Sequence, residues 1–159
     1  MDIVLNDAEQ KLAVHLAKSR YQNARDKGKV DLKKGDQSNW ETDLEGIGGE
    51  LAACKAFNAY PDTEIDLIDL PNFDLTTRNG RTVDAKTTKY SDGRLIAALW
   101  KINKKCDLYV LVVGEFPTYR IAGAMTGSEL MVDERITDLG KGDLYAADQC
   151  DLEKVTPCT

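Results

Sequence analysis

The segment over residues 72–88 constrains the fold most, because two alternating stretches flank the dipeptide Asn79-Gly80. An Asn-Gly pair between two β-like stretches is the strongest short-range sequence signal for a β-hairpin. We therefore expect strands over residues 72–77 and 81–88. The length of the connecting loop then fixes which side chains of the two strands share a face.

The two loop lengths that fit the sequence give opposite geometries for the acidic residues of this hairpin. A two-residue turn pairs residue i with residue 159 − i and puts Asp74 on the opposite face from Asp84. A three-residue loop, with Gly80 in the left-handed conformation and a bulge, pairs i with 158 − i and puts Asp74 directly across from Asp84. We predict the three-residue loop, because a bound cation would relieve the repulsion between the two carboxylates.

Asp84 and Lys86 are two residues apart in the second strand, so their side chains share one face. Two charged side chains beside an apolar core need partners. The same acid-x-Lys triplet occurs at 9–11 in a predicted helix and at 31–33 in a predicted loop, where it reads as surface charge. Only the triplet at 84–86 has an Asp on a partner strand and a Glu on an upstream helix.

Two helices are predicted before the hairpin. A capping box over residues 6–9 opens a helix over about 7–27, and a second one over 42–45 opens a helix over 43–58. The apolar positions of the second helix recur at helical spacing: Leu44, Ile47, Leu51, Cys54 and Phe57.

The second helix contains three glycines and a candidate site residue, Glu50. Gly46, Gly48 and Gly49 weaken the helix locally and allow another backbone to come close. A phosphate-binding loop is excluded, since no Gly-Lys-Ser/Thr follows. Glu50 lies at the edge of the apolar face, either as a surface residue or as an inward carboxylate that needs neutralisation or coordination.

The remaining elements make the chain a mixed α/β protein. Residues 94–105 fit a helix or a strand, and their length favours a helix. The other predicted elements are a strand at 63–68, strands at 108–113 and 119–124, a short helix around 127–135 and a strand near 144–146. We expect a single domain over 1–159, with an N-terminal helix and basic loop (1–40), a core (41–126) and a C-terminal helix and tail (127–159).

The net charge of −6 hides a strong segregation along the chain. Residues 11–34 and 76–105 each carry a net +6, and they flank residues 35–75 with a net −9. Such blocks are either ordinary solvated faces or an acidic cation site with basic walls for a polyanion. Charge alone does not choose between these two interpretations.

Several function classes are excluded by residue usage. His15 is the sole histidine and falls in the predicted N-terminal helix, which argues against His-based triads. The four cysteines include no Cys-x-x-Cys pair, which argues against a zinc site and favours free thiols in a reducing compartment. The apolar runs at 95–100 and 109–113 are too short for a membrane span, and residues 1–7 lack the features of a secretory signal. We therefore expect a cytoplasmic protein that binds no membrane.

Over residues 43–126 the chain resembles the PD-(D/E)XK nuclease superfamily, through a helical Glu, a strand Asp and an Asp-x-Lys triplet on the next strand. The matching residues are Glu50, Asp74, Asp84 and Lys86. The ending Lys86-Thr87-Thr88 and the strands at 108–115 and 119–123 are most similar to small phage-type members. The resemblance implies a restriction-endonuclease-like core: a helix, a three-stranded antiparallel meander, a helix and further strands in a mixed sheet, here with an additional N-terminal helix.

The chain departs from the superfamily pattern near the motif Asp. No Pro directly precedes Asp74. The literal Pro61-Asp62 pair comes before the first predicted strand and has no hairpin partner, so we interpret it as a coincidence. Three further acids nearby are interpreted as strand-surface or turn charges: Glu64, Asp66 and Asp69.

The resemblance further implies Mg²⁺-dependent hydrolysis of phosphodiester bonds in DNA, with Mn²⁺ able to substitute. Asp74, Asp84 and the Ala85 carbonyl would bind the metal, and Glu50 would bind it directly, through water or at a second metal. Lys86 would orient the attacking water or neutralise the transition state. The residues expected to contact phosphates are Arg78, Arg81, Lys89, Arg94 and Lys101, with residues 11–34 as a second wall.

Three aspects of this function remain open from the sequence. An endonuclease is favoured over an exonuclease, and a non-catalytic nucleic-acid-binding module that keeps the fold is the alternative. A homodimer or higher homo-oligomer would suit a short chain with no further domain for reading DNA. If a phage encodes the protein, its compartment is the host cytoplasm.

Overall fold

The computed structural model describes residues 1–26, 39–65, 72–140 and 142–155, and within them the chain has the predicted mixed α/β class. The strands are β1 (Asp2–Val4), β2 (Leu75–Thr76), β3 (Thr82–Thr88), β4 (Leu95–Ala98), β5 (Leu108–Glu115), β6 (Thr118–Thr126), β7 (Ile136–Asp138) and β8 (Asp143–Ala147). The α-helices are α1 (Asp7–Asp26), α2 (Asn39–Phe57) and α3 (Gly127–Leu130), and short 3₁₀ helices cover Leu99–Lys104, Asp133–Arg135 and Gln149–Asp151. No helix within these ranges is long and apolar enough to cross a membrane.

The main sheet has five strands in the order β1-β6-β5-β3-β2, and only β3 and β5 run parallel. Residues 109–113 of β5 are all buried, because apolar layers cover both faces of this strand. Val110 and Val112 pack with residues of α1 and α2, whereas Tyr109 and Leu111 pack with residues of β4 and β8. Because side chains alternate along β5, its two faces contact different apolar clusters, and the core has two layers.

A second, antiparallel sheet of order β4-β8-β7 contributes to the layer on the face of the main sheet away from the helices. Its buried residues Leu95, Ala97, Tyr145 and Ala147 belong to the same apolar cluster as Tyr109 of β5. The main sheet thus has α1 and α2 on one side and the small sheet on the other. This division decides on which side each candidate site residue lies.

The predicted three-residue hairpin loop is confirmed. Leu75 pairs with Val83 and Thr76 pairs with Thr82, which is the 158 − i register. Gly80 has a φ of +79°, in the left-handed region that glycine adopts without strain. The first strand is shorter than predicted, because its ladder contains only Leu75–Thr76 rather than residues 72–77.

The two predicted helices exist, but only one capping box is correct. The Asn6 side-chain oxygen accepts hydrogen bonds from the Ala8 and Glu9 N–H groups, both at 3.0 Å, and Glu9 accepts one from the Asn6 N–H at 2.6 Å. The box over 42–45 was wrong, because α2 already begins at Asn39. Glu45 instead accepts a hydrogen bond from the backbone N–H of Phe116 on the neighbouring β5–β6 turn, at 3.0 Å.

The helix predicted over 94–105 was wrong. The stretch forms β4 followed by a 3₁₀ helix, so no α-helix lies between β3 and β5 in this part of the chain. Leu95 and Ala97 are buried while Ile96 and Ala98 are exposed, and this two-residue period matches pairing with β8. A short apolar run fits either structure from sequence alone, and tertiary pairing decided here.

The remaining strand predictions had mixed outcomes. The strands at 108–113, 119–124 and 144–146 are confirmed as β5, β6 and β8, and the region 127–135 holds α3 and a 3₁₀ helix. Residues 63–65 form no strand, and the rest of the predicted strand at 63–68 lies outside the described residues. The sequence analysis missed β1 and β7, which have three residues each.

Candidate active site

Strand β3 places Asp84 and Lys86 on the side of the main sheet away from α1 and α2. Val83 packs in the cluster that contains residues of α1 and α2, and Thr87 lies against Gly49 of α2. Alternation along the strand therefore turns Asp84 and Lys86 toward the small-sheet side. The prediction that these two side chains share a face is confirmed.

Asp84 is a buried carboxylate held between two ammonium groups. Asp84 is only 1% exposed and lies in an apolar core. Lys86 Nζ forms an ion pair with Oδ1, and Lys101 Nζ forms an ion pair and hydrogen bond with Oδ2. A carboxylate at such a depth is costly unless opposite charges neutralise it, and these two lysines provide them.

Lys101 reaches Asp84 from the 3₁₀ helix Leu99–Lys104. Its ammonium group also donates a hydrogen bond to the Asn72 carbonyl at 3.3 Å. The same group lies 5.6 Å from the centre of the Trp100 ring and 5.9 Å from that of the buried Tyr109. The sequence analysis assigned Lys101 to phosphate contacts, whereas its side chain is largely buried at Asp84.

Asp74 binds β3 on both sides of Asp84. Its N–H donates to the Val83 carbonyl at 2.8 Å, and its Oδ2 accepts from the Ala85 N–H at 2.7 Å. Burial and the neighbouring Asp84 carboxylate raise the pKa of Asp74, against the opposing effects of the Ala85 hydrogen bond and Lys86. The two aspartates are therefore electrostatic neighbours, but Asp74 precedes the β2 ladder, which begins at Leu75, and is not paired with Asp84 in it.

Glu50 lies on the other side of β3, on α2, and is linked to the two aspartates through Asp74. Burial and, next, the Asp74 carboxylate raise the pKa of Glu50 to about 8, while Arg20 and Lys86 oppose this shift. The side chain is 27% exposed, and Arg20 Nη1 lies 3.5 Å from Glu50 Oε2. Glu50 is therefore an inward carboxylate rather than a free surface charge.

Two glycines of α2 allow the helix to come close enough to the sheet for Glu50 and Asp74 to interact electrostatically. A Cβ at Gly49 would collide with the Thr87 side chain, and one at Gly48 would collide with the Tyr119 hydroxyl. The helix is therefore close to the sheet at both positions, but the neighbouring atoms belong to side chains and not to the backbone that the sequence analysis expected. At Gly46 a Cβ would meet nothing within 4 Å, so this glycine has no packing role.

Arg20 is a site residue that the sequence analysis missed. It joins Glu50 to the segment after α2, since its guanidinium lies 3.3 Å from Asp62 Oδ2 and donates to the Glu64 carbonyl at 2.9 Å. Asp62, interpreted from sequence as part of a coincidental Pro-Asp pair, therefore binds the arginine that holds Glu50. Arg20 and Asp62 are 42 positions apart, and no local pattern indicates such a pairing.

The other residues predicted to contact nucleic acid are spread along β3 and beyond it. Arg78 and Arg81 are exposed at the hairpin end, and Lys89 is exposed at the opposite end beside Tyr90. Arg94 forms an ion pair with Asp148 at 2.8 Å. Of the predicted second wall, residues 11–26 belong to the described chain, on α1, and residues 27–34 lie outside the described residues.

Of the thiols, Cys106 lies beside the site, because its Sγ donates a hydrogen bond to the Asn72 carbonyl at 3.0 Å, the carbonyl that Lys101 also binds. Cys54, Cys106 and Cys150 are free, and Cys158 lies outside the described residues. Burial raises the pKa of the Cys54 thiol to about 12, so it stays protonated. His15 is exposed on α1.

The donor chemistry of the aspartates fits a hard divalent cation. Oδ1 of Asp84 is buried and accepts no hydrogen bond from the described part of the chain, although the Lys86 ammonium is paired with it. Carboxylate oxygens on two adjacent aspartates, with the Ala85 carbonyl nearby, are ligands that Mg²⁺ prefers. However, the described ranges contain no group of three or more His, Cys, Asp or Glu side chains close enough to hold a metal ion.

The fold and the site define a mixed α/β protein whose edge hairpin carries a buried aspartate between two lysines. A model of a family of unknown function, DUF5843, matches residues 2–126. That match covers most of the chain and includes every candidate site residue, so the protein belongs to this family. No curated protein matches the chain.

Proposed function

We propose that this protein is a metal-dependent nuclease that hydrolyses phosphodiester bonds in DNA, with a restriction-endonuclease-like core in which β4 and a 3₁₀ helix replace the second core helix. The observation that supports it is the hairpin with the 158 − i register. Asp74 binds the backbone of β3 next to Asp84, and Lys86 is paired with Asp84 on the same face. Two carboxylates and an ammonium group at one point are the groups that phosphodiester hydrolysis with a metal ion requires.

Each residue has a distinct role in this proposal. Asp74 and Asp84, with the Ala85 carbonyl, would hold Mg²⁺ or Mn²⁺, and Glu50 would contribute through water or at a second metal. When bound there, such a cation would supply a water of lowered pKa and offset charge on the phosphate. Lys86 orients the attacking water or stabilises the developing charge, so its loss costs on the order of a hundredfold or more in rate.

Lys101 has to leave Asp84 before a cation can take its place. Its ammonium group is paired with Oδ2, which is one of the oxygens that the metal would need. The carboxylates would then exchange one cation for another, so the site never keeps an unneutralised buried charge. The displaced ammonium lies beside the phosphate position, where a positive charge favours substrate binding.

A non-catalytic nucleic-acid-binding module is the second candidate. Both oxygens of Asp84 are already paired with lysines, and the described residues contain no preformed metal cluster. In this alternative the aspartate and its lysines stabilise the fold, while the exposed basic residues bind phosphates. An endonuclease acting as a homodimer and an exonuclease are the two forms of the first candidate.

Cleavage assays separate these candidates. Supercoiled plasmid and linear, nicked, branched and single-stranded DNA, with an RNA control, would be incubated with Mg²⁺, with Mn²⁺ and with EDTA. The nuclease proposal predicts metal-dependent products that Asp84→Asn abolishes and that Lys86→Met reduces by about a hundredfold or more. The matched controls Asp133→Asn and Lys154→Met, both at exposed positions, should cut normally. Metal-independent binding without cleavage by the wild type would favour the module, and light scattering would give the oligomeric state.

A further inference from the structure

Trp100 exposes an indole ring directly beside the candidate site. Its residue is 58% exposed, on the 3₁₀ helix that delivers Lys101 to Asp84. The Lys101 ammonium is paired with Asp84 Oδ2 and lies 5.6 Å from the centre of the Trp100 ring. The exposed ring is therefore separated from the buried carboxylate by one ammonium group.

The other tryptophan shows how an indole is accommodated by packing. Trp40, on α2, is only partly exposed and packs against the main apolar cluster, with Lys18 5.7 Å from its ring centre. Trp100 belongs to neither apolar cluster of the described residues. Its large apolar surface therefore has no structural role of the kind that Trp40 has.

The chain around Trp100 is basic. Residues 93–106 contain four cationic side chains and no acidic one. Arg94 is paired with Asp148 and Lys101 with Asp84, whereas Lys104 and Lys105 are exposed. An exposed aromatic ring with exposed lysines shortly after it in the chain is a combination with which proteins stack bases and bind the backbone of single strands.

We propose that Trp100 stacks on an unpaired base beside the candidate site, so that the substrate is a single strand or a single-stranded segment. Lys104 and Lys105 then bind the flanking phosphates. A base inside a duplex is stacked on its neighbours and offers no free face to the ring, so duplex DNA cannot use this contact. This inference rests on the proposed nucleic-acid function and adds the class of substrate.

Binding in EDTA tests the inference without any contribution from cleavage. The probes are oligothymidylate, oligouridylate and a DNA duplex, with tryptophan emission and fluorescence anisotropy as readouts. We expect the single strands to quench wild-type emission, with a much smaller effect in Trp100→Phe, which retains Trp40. Trp100→Ala should weaken single-strand binding roughly tenfold to a hundredfold, the usual value of one stacked base. Trp100→Phe should keep most of the affinity.

The controls separate stacking from other losses. Tyr60→Ala removes another exposed aromatic side chain, 81% exposed, and should leave the affinity unchanged. Lys104→Gln should reduce the slope of log affinity against log salt by about 0.7 for a single strand. The ratio of DNA to RNA affinity shows which single strand is bound.

Two outcomes would overturn the inference. One is single-strand binding by the wild type that neither quenches Trp100 nor weakens in Trp100→Ala. The other is the absence of any oligonucleotide binding, in which case the exposed ring would belong to a protein contact. If cleavage depends on the metal but Trp100→Ala has no effect on binding, only this inference is refuted. If binding depends on Trp100 but no cleavage occurs, only the nuclease proposal is refuted.

Discussion

Asp84 shows at the scale of one residue what the sequence could and could not reveal. Its face and its proximity to Lys86 follow from a two-residue period, so local sequence predicts them. The loop length before it is also predictable and is confirmed by the pairs of Leu75 and Thr76. Lys101 and Arg20 reach the two acidic positions from distant parts of the chain. Their pairing depends on tertiary packing that no local pattern encodes.

Removing the Lys101 ammonium should destabilise the metal-free protein. In Lys101→Met, Asp84 keeps only the Lys86 ammonium, and we expect a loss of about 1–3 kcal/mol in the free energy of unfolding. Urea denaturation in EDTA measures this loss. Lys104→Met, at an exposed position of the same 3₁₀ helix, should change the stability by less than about 0.5 kcal/mol. Equal stability of the two variants would show that the Lys101–Asp84 ion pair contributes nothing to the free energy of unfolding.

Glu50 should make the stability of the metal-free protein fall as the pH rises. Its pKa increases from 4.5 to about 8 in the folded chain, so between these values the folded state binds more protons than the unfolded state. This stabilising contribution is complete below pH 4.5 and is lost as the pH rises through about 8. Glu50→Gln should flatten this part of the profile.

Urea midpoints measured in EDTA across this pH range give the profile. Glu134→Gln, at an exposed position, should leave the wild-type shape unchanged. A Glu50→Gln profile identical to that of the wild type would mean that the Glu50 carboxylate titrates near its ordinary value.

At the scale of elements, the contact of α2 with β3 depends on Gly49. The collision of a Cβ with Thr87 should make Gly49→Ala less stable by about 1–3 kcal/mol, despite the better helix propensity of alanine. Gly46→Ala, with open space around it, should instead gain up to about 1 kcal/mol. Chemical denaturation measures both differences.

A second substitution tests whether this steric cause is correct. Thr87→Ala removes the atoms that the new Cβ would strike, so Gly49→Ala should cost less in that background. Destabilisation that is independent of residue 87 would place the strain elsewhere in the helix. The result also bears on Glu50, because α2 carries this carboxylate toward Asp74.

Helices with a clear periodic pattern and tight turns were predictable from sequence. Elements whose structure depends on contacts with residues distant in sequence were not. Helix α1 begins at the residue that its capping box predicts, because the box contains its own hydrogen bonds. The stretch 95–98 is a strand because β8 lies beside it, and Glu45 binds the β5–β6 turn instead of capping a helix. In both cases a contact distant in sequence outweighed a locally plausible pattern.

At the scale of the whole molecule, the main sheet separates the two halves of the candidate site. Asp84, Lys86 and Lys101 lie toward the small sheet, Glu50 and Arg20 lie toward the helices, and Asp74 at the short edge hairpin couples electrostatically to both sides. Because the hairpin lies at the edge of the sheet, a polyanionic chain can approach the partly buried acidic residues there. In the proposed nuclease, the exposed basic residues at both ends of β3 would bind the phosphates of such a chain.

This arrangement predicts that divalent cations stabilise the whole fold. A ligand that binds only the folded state at a hundred times its dissociation constant adds about 2.7 kcal/mol, which for a chain of this size corresponds to an increase of roughly 5–10 °C in Tm. We expect Mg²⁺ and Mn²⁺ to raise the wild-type Tm, and Ca²⁺ to do so without supporting cleavage. Asp84→Asn should abolish the shift, since it removes a charged ligand, whereas Asp133→Asn should retain it.

Lys101→Met makes this thermal test specific to the proposed exchange of cations. Without the competing ammonium, Asp84 Oδ2 is open to the metal, so the Tm increase should begin at a lower metal concentration than in the wild type. Because Lys101→Met also starts from a lower Tm in EDTA, the two curves should converge as metal saturates. A wild-type Tm indifferent to all three cations, together with an increase on adding oligonucleotide, would instead identify Asp84 and its lysines as a structural ion-pair cluster in a binding module.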